Sequence, residues 1–364
     1  MIELLFVGLV MLLLLSAATA PLESLGWYAG WFGERQDARS TEITVAPEVA
    51  ERPPAKHYIV YLSGIGAIDP DTIPAEEVRF LDRVDDRTPG SYLIRDIFPY
   101  SVTNVGMTSN RLFSRLWDWL LNLREAGRKL GALVFVLNIR NMFQVAVSSD
   151  TRYGPIYNLG VTNEILIALQ RHGYVLGSNV PVTLLGWSGG GQVSMGTATF
   201  LGNYIKGDLR IITLGGVMAS EAGALATRKI YQLDGGKDPL VKFGALIFPG
   251  RWPLYKTSYY NRARAMGRIV RKDIGPLTHT GSTNYFADTP MPAPYTTTYA
   301  ECALDAVIEA IVAEKMIFDS TEDRACGTSS ANPAPMLRGR QSQDVSPMVE
   351  PNIFDDMLTH NDRQ

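Results

Sequence analysis

Along the chain, short apolar runs alternate with stretches in which apolar positions recur every three or four residues. The runs at 58–62 (YIVYL), 91–98 (SYLIRDIF), 182–185 (VTLL), 210–214 (RIITL), 229–233 (KIYQL) and 268–271 (RIVR) carry many β-branched or aromatic residues and predict strands. Between them, 74–85, 110–123, 160–170, 192–201, 220–226 and 299–318 predict helices; in the last, Leu304, Val307, Ile308, Ile311, Val312 and Met316 share one face. The run 132–147 fits either period, and its length without a breaker favours a helix or a cap element. Strand alternating with helix at this spacing predicts an α/β fold, a mostly parallel sheet with helices on both faces. In such a sheet, catalytic groups gather beyond the carboxyl ends of the strands.

The two ends of the chain differ in kind. Residues 4–15 are uninterruptedly apolar, and residues 2–19 are long enough to span a membrane as an N-terminal anchor, with Trp27, Tyr28, Trp31 and Phe32 at headgroup level. The alternative is a secretory signal cleaved after Ala18, Thr19 and Ala20, leaving the protein secreted; the missing basic start and Pro21 favour the anchor. By the positive-inside rule, Arg35 and Arg39 would keep the catalytic domain beyond them on the cytoplasmic side. The expected division is therefore 1–33 anchor or signal, 34–56 a linker with Pro47, Pro53 and Pro54, 57–318 a catalytic domain, and 319–364 a disordered tail rich in Ser, Pro, Asp and Gln.

With 364 residues, 46% of them hydrophobic, and a net charge of −3, the chain has material for one large domain. The absence of basic runs argues against nucleic acid as a partner. Two cysteines make no disulfide framework, although Cys302 and Cys326 could tie the tail to the last helix in an exported protein. No CxxC or HExxH spacing suggests a metal.

The candidate chemistry begins where the 182–185 run stops. Gly186, Trp187, Ser188, Gly189 and Gly190 form GxSxG between a predicted strand and a predicted helix. Small residues there permit a sharp reversal that holds Ser188 in a strained backbone conformation and presents its Oγ above the sheet edge as a nucleophile. The first amides of the following helix favour negative charge, so the Gly189 amide is half an oxyanion hole. The other half is expected from Ile65, because the 58–62 strand runs into Ser63, Gly64, Ile65 and Gly66. As a dinucleotide fingerprint that GxG lacks its third glycine, with Asp69 in its place, and a plain turn is the other alternative.

Such a serine needs an imidazole. His57 and His172 precede strands and belong to the wrong sheet edge, and His360 lies in the tail. His279, in GPLTHTGSTNYF after the last strand, is at the right edge. For the orienting carboxylate, DGGKDPLV offers Asp234 and Asp238; Asp238, beyond two glycines that let the loop bend, is preferred. The resulting order is serine, acid, histidine.

Together GWSGG, YLSGIG, GGKDPLV and THTGS resemble the α/β-hydrolase superfamily, of lipase and esterase type, over residues 57–318. The resemblance implies an eight-strand-type, mostly parallel sheet and acyl transfer to water from a carboxylic ester, lipid-like or other, without a cofactor. The family's usual histidine before the oxyanion glycine is replaced here by Ser63. An acyltransferase on the same triad, or a membrane-tethered binding module that keeps the fold without the activity, stays open. Two further segments carry expectations. FGALIFPGRWPLYKTSYYNRARAMG either caps the pocket, meets a membrane surface or is an ordinary excursion, and Asp150, Arg152 and Tyr153 either line the mouth or form a solvated turn.

Overall fold

In the computed structural model, which describes residues 43–46, 49, 52–67, 73–102 and 131–326 with scattered positions before residue 31, and no side chains at 131–137 or 314–326, six strands form one sheet. They are β1 (His57–Leu62), β2 (Ser91–Ile94), β3 (Val182–Trp187), β4 (Leu209–Leu214), β5 (Lys229–Asp234) and β6 (Ile269–Asp273). Their order is β2-β1-β3-β4-β5-β6, and every neighbouring pair is parallel. The helices are α1 (Ala75–Arg87), α2 (Gly131–Ser149), α3 (Gly154–Arg171), α4 (Gly190–Leu201), α5 (Gly223–Ala226), α6 (Pro239–Ile247), α7 (Tyr259–Ala265) and α8 (Tyr299–Cys326).

Side chains alternate across a strand, so successive residues of β1, β3 and β4 enter two separate cores. Val60, Leu62, Leu184 and Ile211 pack with Val161 and Ile165 of α3 and Val193 of α4. Ile59, Tyr61, Leu185 and Ile212 pack with Phe80 and Leu81 of α1 and Leu304 and Val307 of α8. Burial on both faces is the reason these strands read as unbroken apolar runs. The chain leaves β1 toward β2 on one side and returns to β3 on the other. The order therefore reverses between β1 and β3, and the crevice beyond their carboxyl ends is where a site forms in such sheets.

Several expectations change. β2 ends at Ile94 and does not reach Phe98; it has a single strand neighbour, Arg95 turns to Asp82, and Asp96 turns to Arg171 and His172. The ambiguous 132–147 run is the helix α2. The alanine-rich helix shortens to α5, and six strands, not eight, pair among the described residues. The closing helix runs on to Cys326, so 319–326 is helical where a disordered tail was expected; no Gly or Pro interrupts it before Gly327. Cys302 is a free thiol, and the side chain of Cys326 lies outside the described residues. The predicted helix 110–123, the tail beyond 326 and most of the 1–33 segment lie outside the described residues, among which no helix is long and apolar enough to cross a membrane. Of the expected linker, Val49 is buried and the Ala46 amide donates to the Arg171 carbonyl.

One core contact carries a pH signature. Glu77 of α1 is buried and accepts a hydrogen bond from the Tyr61 hydroxyl. Burial pushes its carboxyl from 4.5 up to about 7, against the pull of that bond. An acid raised on folding favours the fold while protonated; that contribution is complete below its ordinary value and is lost as the pH climbs through about 7. Glu77→Gln, which keeps an acceptor for Tyr61, is expected to melt close to wild type at pH 5 and several degrees above it at pH 8.5. Parallel melting curves for the two proteins across that range would contradict the assignment.

Candidate active site

Ser188 sits in the turn between β3 and α4 with φ +52, the one non-glycine residue at positive φ among those described. Its amide donates to the Leu214 carbonyl and its carbonyl accepts from the Val217 and Gly191 amides, so the strained turn is tied to the strand beside it. The flanking glycines are demanded by close packing. A Cβ on Gly190 would lie 2.1 Å from the Leu62 carbonyl oxygen, and one on Gly186 would lie 2.7 Å from Ser194 Oγ. GxSxG thus works here because the turn is pressed against β1 and its own helix.

His279 reaches the turn from the loop after β6. Its Nε2 is 2.8 Å from Ser188 Oγ and its Nδ1 is 2.7 Å from Asp238 Oδ2, and all three side chains are buried. A carboxylate only accepts, so Nδ1 carries the proton and Nε2 is left to accept from the serine hydroxyl. The ring is stacked on Trp187, 4.6 Å between centroids and 18° from parallel. Its loop is closed on itself by Thr278 and Thr283.

Asp238 is the N-cap of α6, and its two oxygens divide the work. Oδ1 accepts from the Leu240 and Val241 amides, while Oδ2 accepts from His279 and from the Tyr285 hydroxyl at 3.0 Å. Burial pulls this carboxyl upward, but the bonds and charge of His279, with those from Tyr285 and Leu240, hold it below its ordinary value. Burial and the neighbouring Asp238 push the Tyr285 phenol well up, so it stays protonated and donates, while accepting from the Gly235 amide. Asp234, the other sequence candidate, is turned away to Arg271. His57 bridges Thr183 and Ser91, and His172 meets Asp96, both away from Ser188.

The amides of Ile65 and Gly189 have no hydrogen-bond partner among the described residues, and Ile65 Cγ2 lies 3.0 Å from where a Gly189 Cβ would be. Ile65 and Gly189 therefore adjoin at the β1/β3 crevice. The Ile65 turn is held from outside it. Asn141 of α2, fully buried, donates to the Ile65 carbonyl at 2.7 Å and the Ala67 carbonyl at 2.8 Å, and the Tyr100 hydroxyl donates to the Ser63 carbonyl. Sequence reasoning missed Asn141, Tyr100 and Tyr285. For Asn141 a signal existed: Asn141, Gln144 and Ser148 recur at helical spacing, and these polar residues face inward while Met142 and Phe143 face out. Over residues 138–149, α2 is inside-out relative to an ordinary surface helix. Tyr100 and Tyr285 lie in loops, where periodicity carries no information.

If Asn141 acts by fixing the Ile65 amide, Asn141→Ala should lower kcat by up to about a hundredfold with KM little changed, because only a transition-state contact is loosened. Lost thermal stability with kcat intact would give Asn141 a structural role alone.

Asp150, Arg152 and Tyr153 form a local turn in which Asp150 accepts from the Arg152 and Tyr153 amides, and Arg152 and Tyr153 are exposed. Among the described residues no cluster of His, Cys, Asp or Glu is arranged to hold a metal ion. A cavity of about 440 Å³ lined by Asp208, Arg228 and Arg268 lies at the amino ends of β4 to β6, opposite the triad edge.

No protein-family model matches the chain, and no curated protein does. Among solved structures the chain is similar to a dienelactone hydrolase-like promiscuous phosphotriesterase from metagenomic libraries, at 14% identity and TM-score 0.39, over 71% of this chain and 87% of that one. A likeness of that strength carries no argument about activity, and the functional reading rests on the geometry of Ser188, His279 and Asp238.

Proposed function

We propose that the chain is a serine hydrolase that cleaves a carboxylic ester, lipid-like or other, through an acyl-enzyme on Ser188. The observation that carries the reading is one imidazole bridging a strained serine hydroxyl and a buried, amide-capped carboxylate. Ser188 Oγ attacks the ester carbonyl as its proton passes to His279 Nε2. Asp238 keeps the ring in the required tautomer and stabilises the cation that forms. The carbonyl oxygen, now an anion, is received by the Gly189 and Ile65 amides. Collapse expels the alkoxide, which takes the proton from Nε2. Water then repeats the sequence on the acyl-enzyme, freeing the acid and restoring the serine. The chemistry calls on no metal or organic cofactor, and small-molecule or lipid acyl esters are the substrate class. On its sequence, segment 2–19 tethers the domain to a membrane.

Ester turnover tests the reading. p-Nitrophenyl esters from acetate to decanoate should release p-nitrophenol in a burst stoichiometric with protein wherever deacylation is slow. No release above background for any of them would contradict it.

A further inference from the structure

The segment from α6 to α7 exposes what a surface normally hides. On α6, Leu240, Phe243, Leu246 and Ile247 face outward, with Phe243 at 53% and Leu246 at 65% exposure. The chain then turns back through the 3₁₀ turn Pro249–Arg251, and Trp252 donates its indole N–H to the Ala245 and Leu246 carbonyls at the end of α6. Tyr255 packs against Trp252, and Leu254 stands out at 83% exposure. Asn261 fastens this excursion by donating to the Gly250, Trp252 and Tyr255 carbonyls. These apolar groups therefore form one continuous, held surface. It begins at Asp238 and packs through Gly244 and Arg251 on Val217 and Met218, so it belongs to the sheet edge that carries Ser188.

Its charge is one-sided. From 239 to 272 there are eight Lys and Arg and no Asp or Glu, in a chain whose net charge is −3. Arg251, Arg268, Arg271 and Lys272 are engaged by the domain. Lys256, Arg262 and Arg264 are exposed and form no ion pair among the described residues, and Lys242 is exposed between Leu240 and Phe243. A second copy would bring cation against cation. We infer that this surface docks on an anionic lipid bilayer, its Trp, Tyr and Leu side chains entering the headgroup boundary and Lys242, Lys256, Arg262 and Arg264 meeting the lipid charge. Docking would set the Ser188 edge of the sheet against the bilayer, independently of whether the N-terminal segment spans it.

The test uses the full chain with Cys302→Ser and Cys326→Ser, so that one introduced cysteine can carry an environment-sensitive nitrobenzoxadiazole label. Labels at Leu246→Cys or Leu254→Cys should shift to the blue and brighten several-fold on adding phosphatidylglycerol vesicles, and much less with phosphatidylcholine. A label at Val175→Cys, exposed on the opposite edge of the sheet, should not respond. Replacing Lys242, Lys256 and Arg264 together by Gln should remove the preference for phosphatidylglycerol. Because the label is local, binding through residues 2–19 alone leaves it unchanged, and because it reads no chemistry, the outcome is separate from the hydrolase reading. Silence at both positions with phosphatidylglycerol overturns the inference, as does an equal response to both lipids. A blue-shifted label before lipid is added, with a two-copy mass in light scattering, overturns it in favour of self-association.

Discussion

Ser188→Ala is expected to lower kcat for ester cleavage by about 10⁵ to 10⁶, the loss seen when a triad serine is removed, with folding unaffected. The expectation of intact folding is specific to this site. Ser188 donates nothing to the core through its hydroxyl; its one side-chain bond is to His279, and the turn is held by its backbone bonds to Leu214, Gly191 and Val217. The positive φ is a cost that Ser and Ala share. Circular dichroism melting should therefore coincide for the two proteins while turnover separates. A variant keeping a tenth of wild-type turnover would remove Ser188 from the role of nucleophile.

The second large effect belongs to Asp238. In Asp238→Asn the side-chain amide has to choose an orientation, and the cap chooses it. The Leu240 and Val241 amides need an acceptor, so the oxygen occupies the Oδ1 place and the NH₂ replaces Oδ2, facing His279 Nδ1 and the Tyr285 hydroxyl. A donor at that point selects the tautomer with the proton on Nε2, which cannot accept from Ser188. The predicted loss in kcat is about 10⁴, with substrate binding largely kept. A loss below tenfold would mean that the ring is oriented by something other than the carboxylate, for which stacking on Trp187 is the structural candidate.

Much of this arrangement is legible in the sequence alone. GxSxG is readable because it punctuates a strand and a helix, and the choice of His279 over His57 and His172 comes from which end of a strand each adjoins. The choice of Asp238 over Asp234 rested on loop reach; what the sequence did not reveal is that Asp238 caps a helix, which leaves Oδ2 free to face the histidine. Asn141 shows in the sequence only as a polar spacing with Gln144 and Ser148, which reads as a solvent-facing stripe. α2 is apolar overall in composition, and its inward-facing polar residues over 138–149 defeat any rule that buries the apolar face. β2 was overextended because an apolar run does not reveal where strand pairing ends, and Arg95 and Asp96 leave the sheet for ion pairs made by tertiary contact. The end of α8 was misplaced because amphipathic spacing reports where a helix packs, not how far it continues. Trp187 was read only as the second letter of GxSxG. Its stacking on His279 depends on a loop about 90 residues away in sequence.

The central claim is that Ser188 is a nucleophile activated by His279, and covalent trapping addresses it most directly. A fluorophosphonate probe, incubated with the wild-type chain and followed by digestion and mass spectrometry, should leave one phosphonyl group per chain on Ser188 and none on Ser188→Ala. No adduct on the wild type, or an adduct on another residue that persists in Ser188→Ala, would contradict the account.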